Sequence, residues 1–148
     1  MPTLPWATPN PAPPHTGAYV MASRFTLRSR RDVPRFFLKS LQAWRQVRSA
    51  PGAFGASLVA RPLAGVFLTL SAWENRDALY VFAGTEPHRS IMDAVRPTMR
   101  AGTFTFWEVS TDDLPLTWDD ARRRLDAQAA ADAAADAAAE GPATASDG

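Results

Sequence analysis

FLTLSAWENRDALYVFAGTEPHR, residues 67–89, is the stretch whose reading decides the fold. With Val66 before it, the segment alternates. Phe67, Thr69, Ser71 and Trp73 fall on one side of an extended strand, and Val66, Leu68, Leu70 and Ala72 on the other. The second row is small and apolar throughout and predicts a helix-packed face. The first mixes rings with hydroxyls, the composition of a pocket wall or of a wet subunit interface. After Trp73 the period changes. Asn75 or Asp77 is placed to cap a helix whose Ala78, Leu79 and Phe82 face inward, and Gly84-Thr85 interrupts it. Glu86-Pro87 opens a fresh first turn, from which His88, Ile91, Met92, Val95 and Met99 share one helical face. His88 therefore stands at a helix start, on the core side, where the helix dipole favours a neutral imidazole.

Working outward, Tyr19–Ser29 reads as a strand with Val20, Ala22, Arg24 and Thr26 on one side and Tyr19, Met21, Phe25 and Leu27 on the other. Neither side is fully polar, which predicts helices over one and a cavity or a second subunit over the other. Arg31–Arg48 is the clearest helix. Val33, Phe36, Phe37, Leu41, Trp44 and Val47 form its apolar stripe, and Arg35, Lys39, Gln42 and Gln46 fall on the wetter side. Phe54–Arg61 is a strand joined to Val66–Trp73 through Pro62–Gly65, a link short enough for an antiparallel hairpin. Downstream, Thr103–Ser110 is a last strand, with Trp107 alternating against Phe104 and Phe106, and Thr117 caps a short helix with Trp118 and Ala121 ready to pack. Strand, helix, strand, strand, helix, strand is the split βαβ order. It predicts an α+β, ferredoxin-like domain: a four-stranded antiparallel sheet with two helices on one face. The uncovered face calls for a partner, and a homodimer setting two sheets face to face would supply one.

The ends differ in composition. Residues 1–17 hold six prolines and predict an extended or disordered arm, with Trp6 and His15 inside it; residues 18–125 are the domain; residues 126–148 are rich in alanine and aspartate, carry no large apolar side chain, and predict a frayed or disordered tail. All sixteen basic residues precede residue 125, and five of the fifteen acidic ones follow it, so the basic part could draw an anionic partner. Fifteen of the sixteen are arginines scattered along the chain, and no nucleic-acid-binding pattern accompanies them. No apolar run is long enough to span a membrane, and no secretory signal is evident, which makes the cytoplasm the expected location. Without cysteine there is neither a disulfide nor a thiolate site.

Reactive groups are few. There are two histidines and no zinc-binding or phosphate-loop spacing, so no metal site is expected. Ser71, Ser90 and Asp93 lie near His88 in sequence, but no nucleophile elbow supports a hydrolytic triad. His88 is left as the one imidazole of the domain: a general acid or base, a haem ligand, or a satisfied helix-start residue. Trp73 and Trp107 are core side chains or pocket walls. Arg24 is a rim arginine or an anion holder.

The order of elements resembles the dimeric α/β-barrel superfamily that includes the antibiotic biosynthesis monooxygenases. The motifs FLTLSAWENRDALYVFAGTEPHRSIM and FTFWEVSTDDLPLTWDDARRRL resemble, more closely, a branch related to spheroidene monooxygenase-type proteins. The resemblance implies a homodimer whose sheets form a barrel, with each pocket between its own sheet and helices. It also implies either cofactor-free oxidation of polycyclic aromatics by O2 or the handling of haem. Cofactor-free members often use an Asn-Trp-His set, of which Trp73 and His88 match two roles and no asparagine matches the third. In haem-handling members the ligand is commonly a histidine after the third strand, where His88 stands.

Three readings follow. In the first, the protein is a cofactor-independent monooxygenase of a hydrophobic aromatic or polyene-like secondary metabolite, with His88 as base, Trp73 as its catalytic companion, and Arg24, Phe54, Phe67, Met92 and Trp107 binding substrate. In the second, it binds haem through His88, with Arg24 or Arg96 near the propionates. In the third, it is a non-oxidative cyclase, isomerase or ligand-binding dimeric module.

Overall fold

The computed structural model describes residues 3–140. The elements are β1 (Thr3–Ala7), β2 (Gly17–Leu27), α1 (Val33–Val47), β3 (Ala53–Arg61), β4 (Val66–Trp73), α2 (Arg76–Gly84), α3 (His88–Val95), β5 (Met99–Ser110) and α4 (Trp118–Glu140). Five strands form one antiparallel sheet in the order β1-β3-β4-β2-β5. Strands β2 to β5 are the four of the ferredoxin-like order. The fifth comes from the proline-rich arm.

Register fixes which side chains share a face. Tyr19 lies opposite Trp73, Met21 opposite Ser71, Ser23 opposite Thr69 and Phe25 opposite Phe67. Helices α1, α2 and α3 cover this face. At one end Phe25, Phe36, Phe67, Ile91 and Val95 pack together, with Phe36 and Phe67 at a ring-centroid distance of 4.5 Å. At the other, Val47, Ala53, Ala56 and Leu79 close around Trp73, which is fully buried. Full burial of a Leu- or Phe-sized side chain contributes about 1.5–3 kcal/mol.

The opposite face holds Val20, Ala22, Leu68, Leu70 and Ala72, all buried, under Ala121 and Leu125 of α4 and half-buried Trp6 and Trp118. Sequence reasoning assigned this row to the main helices and offered the hydroxyl row to a cavity or a second subunit. In the structure both rows are helix-covered, and α1 to α3 lie over the hydroxyl row. The apolar row is sealed within the chain by α4 and the arm, so its burial does not require a second sheet.

Of the two states expected of residues 1–17, extended or disordered, the arm takes the first in β1 and pairs with the sheet. Thr3 pairs with Val59 and Ala7 with Ala56, and the Ser57 hydroxyl donates to the Leu4 carbonyl at 2.8 Å. Prolines are compatible with an edge strand, because one side of it needs no donors. Trp6 lies directly over Gly55, where an added Cβ would fall inside the indole ring. Beyond β1 the Asn10 amide donates to the carbonyls of Ala50 (2.8 Å) and Ala53 (3.0 Å), and His15 bonds Asp112. The expected disordered tail is likewise helical through Glu140, continuing a helix that the packing of Ala121 and Leu125 anchors; alanine is the best helix former and carries it onward. The last eight residues lie outside the described range.

Candidate functional site

Two hydroxyls at the centre of the helix-covered face set the site's polarity. Ser23 and Thr69, cross-strand partners, hydrogen-bond to each other, and Ser23 is fully buried. Next to them the Trp73 indole Nε1–H donates to Ser71 Oγ at 2.8 Å. Buried polar groups need such partners, and these find them within the sheet. Above the hydroxyls α1 and α3 stand away from the sheet and leave a cavity of about 530 Å³. Its floor is Met21, Ser23, Thr69, Ser71 and Trp73; its helix side includes Phe36, Ser40, Trp44, His88, Ile91 and Met92. The size and the mainly apolar lining suit a small organic ligand.

His88 opens α3 on the cavity wall. Its Nδ1 lies 3.0 Å from the carbonyl oxygen of Ala83. A carbonyl only accepts, so Nδ1 carries the proton and the neutral ring keeps its lone pair on Nε2. Nε2 has no hydrogen-bond partner among the described residues. Burial pushes the His88 pKa below the ordinary imidazole value, the Ala83 bond opposing this in part, so the ring is a free base at neutral pH. Phe82 stands between it and Trp73, with centroids 4.8 Å from His88 and 5.0 Å from Trp73. The two candidate residues thus end at one cavity, joined by a third ring.

Gln46 holds this turn in place. Its Oε1 accepts from the His88 backbone N–H at 2.7 Å, and its Nε2 donates to the carbonyl of Thr85 at 3.2 Å. The N-cap of α3, Pro87, offers no side-chain acceptor; Glu86 accepts from the Ser90 N–H at 3.3 Å, and the amide from α1 serves the His88 N–H. Sequence reasoning placed Gln46 on the wet side; it is half-buried, bridging α1 to the α2–α3 turn.

Of the seven candidate side chains, Trp73, His88 and Met92 border the cavity. The other four do not. Arg24 projects from the opposite face and pairs with Asp126 at 2.7 Å, because its register on β2 is that of Val20 and Ala22. Phe54 belongs to the α4-side core, and Trp107 lies there too, under the Arg124 guanidinium at 4.5 Å. Phe67 shares the cavity's face but is sealed into the aromatic cluster with Phe36. Trp73 borders the cavity with its indole N–H already engaged by Ser71. Arg89, Lys39 and Arg96 border the same cavity. Sequence reasoning missed Ser23, Phe104 and Phe106 as lining residues, although their alternation on β2 and β5 puts them in the register of Met21 and Phe25. Among the described residues no group of three or more His, Asp or Glu could hold a metal ion, and no helix is long and apolar enough to cross a membrane.

No protein-family model matches the chain, and no curated protein matches it. Solved structures do. An antibiotic biosynthesis monooxygenase superposes with a TM-score of 0.55 at 15% identity, over 60% of this chain and 95% of that one. The fold is shared with these monooxygenases. SnoaB, a cofactor-independent oxygenase from Streptomyces nogalater, matches with a TM-score of 0.55 at 14% identity, over 68% of this chain and all of its own. A conserved protein from Methanosarcina mazei Go1 matches as well, with a TM-score of 0.55 at 9% identity over 61% and 90% of the two chains. At these identities the likeness is one of fold.

Proposed function

We propose that the protein is a monooxygenase of an aromatic small molecule, working without a cofactor and using His88 Nε2 as base. The observation that carries this reading is the imidazole itself: neutral, fixed in one tautomer by Ala83, with its free lone pair beside a mainly apolar cavity. The fold it shares with SnoaB, a cofactor-independent oxygenase, adds support. The substrate would carry a methylene activated by flanking aromatic and carbonyl groups. Nε2 takes one of its protons; the electron-rich carbanion delivers electrons to O2 and a C–O bond forms. Cleavage of the O–O bond then leaves a carbonyl on carbon and releases water. The balance is R2CH2 + O2 → R2CO + H2O, with carbon as the reductant and O2 as the oxidant. The hydroxyls of Ser23, Thr69 and Ser71 orient the substrate's oxygens, and Trp73 and Met92 shape the slot. An anthrone is a suitable probe: the wild type consumes O2 and forms quinone in equal amounts, and His88→Gln lowers the rate at least a hundredfold, the size of a general-base contribution. Full turnover by His88→Gln ends the proposal.

The same lone pair supports a second reading, haem binding. Nε2 is the kind of donor that ligates iron, its opposite nitrogen held by a carbonyl in the manner of orienting partners around metal-bound histidines. Haem, once bound, would supply redox chemistry, with Arg96 and the neighbouring cations facing its propionates; Arg24, on the other face, would play no part. A Soret band that disappears in His88→Gln identifies this case, and a protein that takes up no added haemin eliminates it.

We further infer a homodimer. Support comes from β5, an edge strand of twelve residues that exposes Phe104 and Phe106 beside the cavity. Light scattering should give twice the chain mass of 16.1 kDa.

A further inference from the structure

The cavity is not electrically neutral at its mouth. Lys39 of α1, Arg89 of α3 and Arg96 just past the end of α3 border it, against one carboxylate, Asp93. Arg89, Met92 and Asp93 of α3 and Arg96 at its C-cap recur at helical spacing, and all four border the cavity. Asp93 accepts from Arg96 at 3.4 Å. Neither Lys39 nor Arg89 has an ion-pair partner among the described residues. Lys39 is also the chain's one lysine, half-buried on the cavity side of α1 among fifteen arginines.

These observations divide the cavity into three chemical zones: hydroxyls on the floor, rings and aliphatic side chains along the walls, cations at the rim. We propose that its ligand is an aromatic acid, whose oxygenated ring end reaches Ser23, Thr69 and Ser71 and whose carboxylate is held between Lys39 and Arg89. The inference rests on the reading of the cavity as a substrate site and adds the charged end. Planar, forked donors such as Arg89 match a carboxylate, and an ammonium adds a point charge next to it. Both are screened by water at the rim, so the interaction selects between ligands more than it holds them. It also sets direction: an acid tethered at the mouth can insert only its ring end toward His88 and the sheet.

The test uses two probes of one ring system, anthraquinone-2-carboxylate and 2-(hydroxymethyl)anthraquinone, with binding followed by quenching of tryptophan fluorescence. The acid should bind about tenfold more tightly than the alcohol at low salt, and the preference should shrink with added salt. In the Lys39→Met, Arg89→Met double variant the preference should fall below twofold while the alcohol's affinity holds. Reductive methylation with 13C-formaldehyde labels a single lysine, and the acid alone should shift its signal. Equal binding of the two probes, or a preference that survives in the double variant, overturns the anionic end and leaves the cavity reading intact. Binding of neither probe removes both.

Discussion

Replacing Gln46 tests whether the candidate base is held from α1. In Gln46→Leu the His88 backbone N–H loses its 2.7 Å acceptor and the Thr85 carbonyl its 3.2 Å donor. Two half-buried hydrogen bonds at about 1 kcal/mol each give a loss of about 2 kcal/mol. For a domain of this size that is a fall in Tm of about 8 °C. The chemical consequence is more specific. Released from Gln46, the turn no longer presses the ring against Ala83 and Phe82, so His88 gains water and its depressed pKa rises toward the ordinary imidazole value. Gln46→Glu keeps the acceptor for the His88 N–H, loses the donor to Thr85, and sets a carboxylate near the ring. The loss of stability should be about half that of Gln46→Leu, about 1 kcal/mol, with a larger rise in the His88 pKa. Urea denaturation measures the first quantity, and NMR titration of the two histidine signals, assigned with His15→Asn, measures the second. If Gln46→Leu unfolds at the wild-type midpoint, or is destabilised with the His88 titration unmoved, the clamp is not what positions the base.

Two further outcomes follow from the packing and the charge. Gly55→Ala should cost about 2–3 kcal/mol by expelling the half-buried Trp6, yet be neutral or stabilising in a Trp6→Ala background; equal costs in both backgrounds would show that the indole is not the obstacle. The sign of the pH dependence comes from His88, whose folded pKa lies below its unfolded value of about 6.5. The unfolded chain binds the proton first as pH falls, so this contribution is complete above about pH 6.5 and is lost between there and the folded pKa. His88→Gln should therefore lose less stability than the wild type between pH 7.5 and 5. Parallel losses in the two proteins would count against a buried neutral ring.

What sequence alone determined is what short-range periodicity records. The alternation from Val66 to Trp73 gave that strand its bounds and separated a hydroxyl row from an apolar row. The change of period after Trp73, with Asn75 accepting from the Ala78 N–H as a cap, set the helices that follow. His88 at a helix start facing the core was legible for the same reason. The partners of each row were not, since they come from far along the chain. Burial of the apolar row depended on Trp6 and Leu125 arriving from the two ends, and composition marked the arm only as extended or disordered and the tail as frayed or disordered, because proline and alanine content is silent about an edge strand's unused donors or a helix anchored by one packed turn. Arg24 shows the limit most clearly: its face was read correctly, but only the packed structure shows that the cavity lies on the other one. The lone pair on Nε2 was likewise decided by tertiary contact, through a carbonyl at Ala83 and an amide from Gln46 that no motif announces.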